Sequence, residues 1–290
     1  MNRRLAVIAL ALSWAPHAAA GPPAAPNPIG YCVDDVEKAR AAGFDYAELA
    51  VRNFARLSDQ DFADFLHKHD AVGLKTPTAL VFLPDELKVV GPDVDEPRLM
   101  AYVRTAFARA RKLGIELIVF GSGPARRVPA GFPKEEAFGQ LVEFSKRIAP
   151  LASANGIVLG VEAQRREETN LVNSVAEALT WVEAVDQPNF QLIVDFYHLA
   201  MEKEDPAVLL KAARHLRHVH FANPNGRVFP SSSDEYDYSA FFENLRKIGY
   251  RGRISLEART SDLAADAPKA IAFLRQAMTS GAPPPHGGTP

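Results

Sequence analysis

The sequence predicts a single (β/α)8 barrel. Three observations predict it. Apolar strand-like runs alternate with helical patterns between residues 28 and 280. Eight such units fit that length, as a closed barrel requires. The rival, an open doubly wound sheet, would show a G-x-G-x-x-G after its first strand if it bound a dinucleotide, and none follows here.

The strands are expected, in order, at Pro28–Cys32, Tyr46–Val51, Thr78–Phe82, Ile115–Phe120, Ile157–Glu162, Phe190–Asp195, Leu216–Ala222 and Arg253–Glu257. Each is a short apolar run of the kind that suits a strand buried on both faces. Between them come helical patterns. Residues 95–114 place Leu99, Val103, Phe107 and Ala110 on one face and stop at Gly114, a C-cap signal. Residues 135–156 carry Phe138, Leu141, Val142 and Phe144, with Pro150 expected to interrupt the helix. Residues 174–185 and 237–249 repeat the pattern, the latter with Asp237 or Ser239 as N-cap and Gly249 at its end. Strands alternating with helices imply parallel pairing through right-handed crossovers.

The two ends of the chain read differently. Arg3 and Arg4, the apolar run Leu5–Ala15 and the Ala18-Ala19-Ala20 site form a secretory signal over residues 1–20. The paired arginines leave the Sec and twin-arginine routes both open. The expected location is therefore the periplasm, with no membrane attachment once the signal is cleaved. Residues 21–27 are expected to be flexible, 28–280 to form the barrel, and the Pro/Gly-rich residues 281–290, with His286, to be a disordered tail.

The chain has 290 residues, 47% of them hydrophobic and 23% charged, with net charge −2. That is an ordinary globular composition with a sizeable core. No basic stripe appears, which excludes nucleic acid as an expected partner. Cys32 is the one cysteine, so no internal disulfide can form, and a small buried strand residue is the expectation for it.

In a barrel of this kind the active site lies at the C-terminal strand ends. Glu162, Asp195, His220 and Glu257 fall at the ends of four consecutive expected strands and would converge at one edge of the mouth. Three carboxylates and an imidazole cannot share a partly buried mouth as bare charges. A divalent cation resolves this. Mixed oxygen and nitrogen ligands favour Mn²⁺, with Co²⁺, Zn²⁺ or Mg²⁺ as alternatives, over Ca²⁺. Moving a stereocentre beside a carbonyl needs an acid, a base and stabilisation of the enediolate between them. Glu162 and Glu257 are the expected proton carriers.

The stretches GVEAQRREETNLVNS, LIVDFYHL, HVHFANPNGRVFP and DYSAFFENLRKIGYRGRISLEA resemble the xylose isomerase-like TIM-barrel superfamily of sugar isomerases and epimerases. The resemblance covers about residues 28–280. It implies that Glu162, Asp195, His220 and Glu257 ligate one divalent metal, as in ketose 3-epimerases. It also implies that Glu168, His198 and Arg227 contact substrate, Arg227 lying one residue further along than in those epimerases. The implied activity is isomerisation or epimerisation of a sugar or keto-sugar, unphosphorylated in view of export. A lyase or dehydratase expelling a β-substituent through the same base and metal is the alternative. A non-catalytic sugar-binding protein is disfavoured because every ligand and contact position is filled. The superfamily's DNA-repair branch needs early-strand histidines that this chain lacks. Relatives often pair, so a homo-oligomer is open.

Other residues carry weaker expectations. Glu48, at the end of the second strand, either reaches the site floor or serves the core. His218, in step with His220, sits deeper in the barrel or supports the site. His67 and His69 are expected on the surface, and His215 flanks the seventh strand. The loop of Gly121, Gly123, Arg126 and Arg127 is either simply solvated or lets the backbone approach a ligand at the glycines and an arginine meet an anion. Phe82, Phe196 and Phe229 either wall a sugar ring or, as aromatic residues more often do, serve the core, and Trp181 is expected to pack inside.

Overall fold

The computed structural model describes residues 26–279. The expected signal at 1–20, residues 21–25 and the 281–290 tail lie outside the described residues. Asn27 lies at the end of the segment expected to be flexible. It is buried, and its side-chain amide donates to the carbonyl of Gly252 at 2.8 Å.

All eight expected strands form: β1 Ile29–Cys32, β2 Tyr46–Ala50, β3 Thr78–Leu80, β4 Leu117–Phe120, β5 Val158–Val161, β6 Phe190–Asp195, β7 Leu216–Phe221 and β8 Arg253–Leu256. They close in sequence order into one parallel barrel, β8 returning to β1 through Ile29↔Ile254. A register shift between Leu192 and Ile193 interrupts the β6–β7 pairing just below the site. No described helix is long and apolar enough to cross a membrane.

Among the described residues ten helices surround the barrel. Helix α4 (Glu96–Lys112) is capped by Asp95, whose carboxylate accepts from the Arg98 N–H. Gly114 follows at φ +72°, a conformation that glycine adopts without strain. Helix α5 (Lys134–Ala154) runs through Pro150 rather than breaking there. Eight of its side chains are buried, and that packing outweighs one missing backbone bond. Helix α6 (Val175–Val185) is capped by Ser174 as its sequence implies. Helix α9 (Ser239–Lys247) starts differently: Tyr238 is the N-cap residue, and Asp237 instead accepts from the Ser239 N–H at 3.0 Å. The aromatic ring of Tyr238 packs on Phe196 and Phe221, which decides where the helix begins.

The main core lies between sheet and helices. Phe107 of α4 stacks on Phe82 at 5.4 Å between ring centroids, and Trp181 of α6 meets Phe120 edge-on. Phe196 stacks on Phe221, and Phe229 meets Tyr31 edge-on. Burial of each such ring is worth about 1.5–3 kcal/mol. Phe82, Phe196 and Phe229 are therefore core residues and do not form a sugar wall.

The barrel interior divides in two. Leu80, Leu117, Val119 and Ile193 form a separate apolar cluster on one side. Tyr46, Glu48, Thr78, His218, His220 and Ser255 form a fully or nearly fully buried polar group on the other.

Candidate active site

The four expected ligands meet. Glu162, Asp195, His220 and Glu257 each offer a donor atom, and these atoms lie within 4.8 Å of one another. Asp195 ends β6 and His220 lies on β7, while Glu162 and Glu257 directly follow β5 and β8. His220 Nδ1 is 3.0 Å from Glu257 Oε2 and 3.5 Å from Glu162 Oε1. Asp195 serves a second purpose: Oδ1 accepts from the Tyr197 N–H at 2.8 Å and caps helix α7 (Phe196–Met201), leaving Oδ2 for the site.

Arg227, in the loop after β7, spans the group. Its Nη2 lies 2.8 Å from Glu257 Oε1 and 3.4 Å from Asp195 Oδ2, and Nη1 lies 3.3 Å from Glu168 Oε1. Its backbone sits at φ +53°, a strained setting for a non-glycine residue that aims the guanidinium inward. His198, one turn into α7, is buried. Its Nδ1 accepts from the Arg165 N–H at 3.3 Å, so Nε2 carries the proton. That Nε2 has no hydrogen-bond partner, and Glu168 Oε2 and Asp195 Oδ2 lie 3.8 and 3.6 Å away.

The electrostatics set these groups apart. Burial raises Glu162 above the usual carboxylate range. Burial also lifts Asp195, to about 8, with Arg227 opposing and the Glu257 and Glu162 charges adding. Glu257 is only partly buried, and the His220 hydrogen bond and the Arg227 charge overcome that burial and hold it at about 2. Burial, then Arg227, pushes His198 down to about 3, so it is neutral at working pH.

The residues fit a divalent cation. Glu162 Oε1 is buried with no hydrogen-bond partner, while its Oε2 accepts from Gln164 Nε2 at 3.0 Å. An orphaned carboxylate oxygen beside two further carboxylates and an imidazole is an arrangement that a cation satisfies. Cys32, Glu48 and His220 form a second group within 4.8 Å. There the oxygens of Glu48 already accept from four side-chain donors.

Several side chains at the site carry no expectation of a site role from the sequence. Gln164 holds Glu162, and its position two residues on is the signal for it. Arg165 pairs with Glu168 at 3.0 Å and faces the Tyr197 ring, as Arg227 does from 4.6 Å. Cys32, expected to be buried, is instead only partly so and lines the mouth, where a cavity of about 320 Å³ also touches Val33, Glu48, Ala50, Leu80, Val81 and Arg259. The strand-end rule, applied to β1, points to it.

Other expectations change. Arg126 meets no anion: it is fully buried and donates to the carbonyls of Gly121, Glu162, Leu171 and Val172. Arg127 donates to the Glu167 carbonyl. Gly121 and Gly123 leave room for side chains, since a Cβ on either would lie 2.2 Å from Glu162 Oε2 or 2.5 Å from Gln164 Oε1. His67 is exposed, but His69 tucks in and bonds Thr76 Oγ1 at 2.9 Å. His215, beside β7, lies near Gln191 Oε1 at 3.3 Å. Trp181 is packed as expected, its indole N–H donating to Ser145 Oγ.

Known proteins share sequence and fold with this chain. An L-ribulose 3-epimerase of Methylomonas sp. (strain DH-1) is 27% identical over 233 residues, 78% of this chain and 77% of that one. The solved D-allulose 3-epimerase from Methylomonas sp. superposes with a TM-score of 0.72 at 25% identity, covering 87% of this chain and 98% of that one. A 3-keto-D-glucoside 4-epimerase from E. coli shares the fold at a TM-score of 0.71 and 21% identity, covering 86% and 99%. The family described as xylose isomerase-like TIM barrel matches residues 36–277, and the chain belongs to that family.

Proposed function

We propose that the protein is a divalent-metal-dependent sugar epimerase or isomerase acting on a ketose or keto-sugar. The observation that carries this reading is the convergence of Glu162, Asp195, His220 and Glu257 within 4.8 Å, with Glu162 Oε1 buried and unpaired. Relatives named as ketose 3-epimerases support it. These four residues would hold the cation, with Mn²⁺ favoured. When bound, the cation supplies charge stabilisation for oxygens of the substrate.

This chain's own side chains do the rest. Glu162 and Glu257, on strands three apart round the barrel, act as base and acid. One removes the proton beside the carbonyl, and the other returns a proton to the enediolate. Burial raises Glu162 while His220 and Arg227 depress Glu257, so the two carboxyls differ in how readily they take a proton, as an acid–base pair requires. His198 Nε2–H donates to a substrate oxygen. Glu168 accepts from a substrate hydroxyl, and Arg227 offsets the negative charge gathered at the mouth. Cleavage of residues 1–20 would deliver the enzyme to the periplasm, where its sugar substrate is unphosphorylated.

The test is incubation of the Mn²⁺-loaded protein with ketoses and keto-glycosides in D₂O. A new epimer carrying deuterium beside the carbonyl is expected. Loss of a β-substituent would make it a lyase instead, and no exchange with any substrate would overturn the reading.

A further inference from the structure

We propose that Glu48 is a positioning residue that fixes the His220 imidazole with Nδ1 toward the site, and so sets the cation affinity of that site. The inference rests on the function proposed above.

Glu48 lies on β2, across the barrel from β5 and β6. Among the described residues, no hydrogen bond or ion pair joins it to Glu162, Asp195 or Glu257. It has no solvent-exposed surface and lies at the floor of the mouth cavity, which it helps to line. Its carboxylate is fully engaged. Oε1 accepts from His220 Nε2 at 3.0 Å. Oε2 accepts from His218 Nε2 at 2.9 Å, Thr78 Oγ1 at 2.9 Å and Ser255 Oγ at 2.5 Å. Ser255 gives its proton to Glu48, so Tyr46 donates in turn to Ser255 Oγ at 2.7 Å. Gly30 makes room for that tyrosine, since a Cβ there would lie 2.2 Å from its ring.

An ionised carboxylate only accepts, so the histidine nitrogen facing it must carry a proton. His220 Nε2 is therefore held as a donor, and Nδ1 is the atom that faces Glu162 and Glu257, where a bound cation would replace the proton it shares with Glu257. Four donors converging from β3, β7 and β8 lock the carboxylate plane, and that plane locks the ring. A buried carboxylate behind a ligating histidine fixes both its tautomer and its orientation. A glutamine at 48 would keep one acceptor and turn N–H groups toward other donors.

The test measures Mn²⁺ affinity of the full chain by electron paramagnetic resonance, with thermal melting as the control for folding. The Glu48→Gln variant is expected to bind about 10–100-fold more weakly than wild type. Thr78→Val removes one of three donors to Oε2 and leaves the His220 hydrogen bond to Oε1 in place, so a smaller loss than in Glu48→Gln is expected. Unchanged affinity in Glu48→Gln overturns the inference, and so does an equal loss in Thr78→Val, which would mean general loosening of the floor. Should Glu48→Gln not fold, Glu48→Asp keeps the charge and withdraws it by one methylene. Weaker binding there supports the inference, and unchanged binding overturns it. A wild-type protein that binds neither Mn²⁺, Co²⁺ nor Zn²⁺ overturns the proposed function itself, a result separate from any difference between variants.

Discussion

Glu162 and Glu257 converge on one atom: His220 Nδ1 lies 3.5 Å from Glu162 Oε1 and 3.0 Å from Glu257 Oε2. The two carboxyls are unlike in charge preference. Burial raises Glu162, whereas His220 and Arg227 hold Glu257 at about 2 against its burial. Each is expected to carry a proton in turn. Glu162→Gln and Glu257→Gln should each lower kcat by about 10²–10⁴-fold with little change in melting temperature. Steady-state kinetics with deuterium exchange reads both steps, and full activity in either variant would remove that glutamate from the mechanism.

Asp195 gives the pH dependence. Burial lifts its carboxyl to about 8, so near neutral pH much of it is protonated without a cation. A protonated carboxyl is no ligand, and binding must expel the proton. Apparent Mn²⁺ affinity is therefore expected to rise with pH and level off above about 8. Calorimetry at neutral pH in two buffers of different ionisation enthalpy should show proton release. Binding that is flat in pH would exclude Asp195 as a ligand.

His198 is expected to bind substrate without titrating. Burial and Arg227 hold it near 3, and Arg165 N–H fixes its tautomer. His198→Phe removes the Nε2–H donor. KM should rise about tenfold, the worth of one hydrogen bond, with a smaller change in kcat. The pH–rate profile above pH 5 should keep its shape, and a lost inflection would show that His198 does titrate.

Gly121 tests how tightly Glu162 must be placed. In Gly121→Ala the new Cβ would lie 2.2 Å from Glu162 Oε2 and 2.6 Å from Gln164 Nε2, both ends of side chains that can swing away. Stability should fall by about 1 kcal/mol or less, while kcat/KM drops well over tenfold. In Gly160→Ala the Cβ would meet Ile193 Cγ2 at 2.4 Å inside the barrel. There a stability loss of about 1–3 kcal/mol is expected. Chemical denaturation beside kinetics separates the two effects.

Arg126 ties the β4 and β5 loops together through four carbonyls, those of Gly121, Glu162, Leu171 and Val172. Arg126→Met would leave these acceptors buried, at about 1–3 kcal/mol for each that finds no water. A large drop in melting temperature is expected, and one below a few degrees would show that water replaces the guanidinium.

What was legible in the sequence was local. Apolar runs of strand length and helical periodicity determined the eight β/α units, and a carboxylate or imidazole ending an apolar run marked Glu162, Asp195, His220 and Glu257. These signals lie within a few residues of one another, so no partner need be known. At Pro150 and at the start of α9, packing overrides local preference. Closure decided the rest. Glu48 reaches His220 172 positions away only because β2 and β7 face each other inside one barrel. That Arg126 is buried among four carbonyls, and that Phe82, Phe196 and Phe229 take the core rather than the mouth, has the same cause. A strand's sequence alternates two faces, but only the register of a closed sheet decides which side chains share its interior.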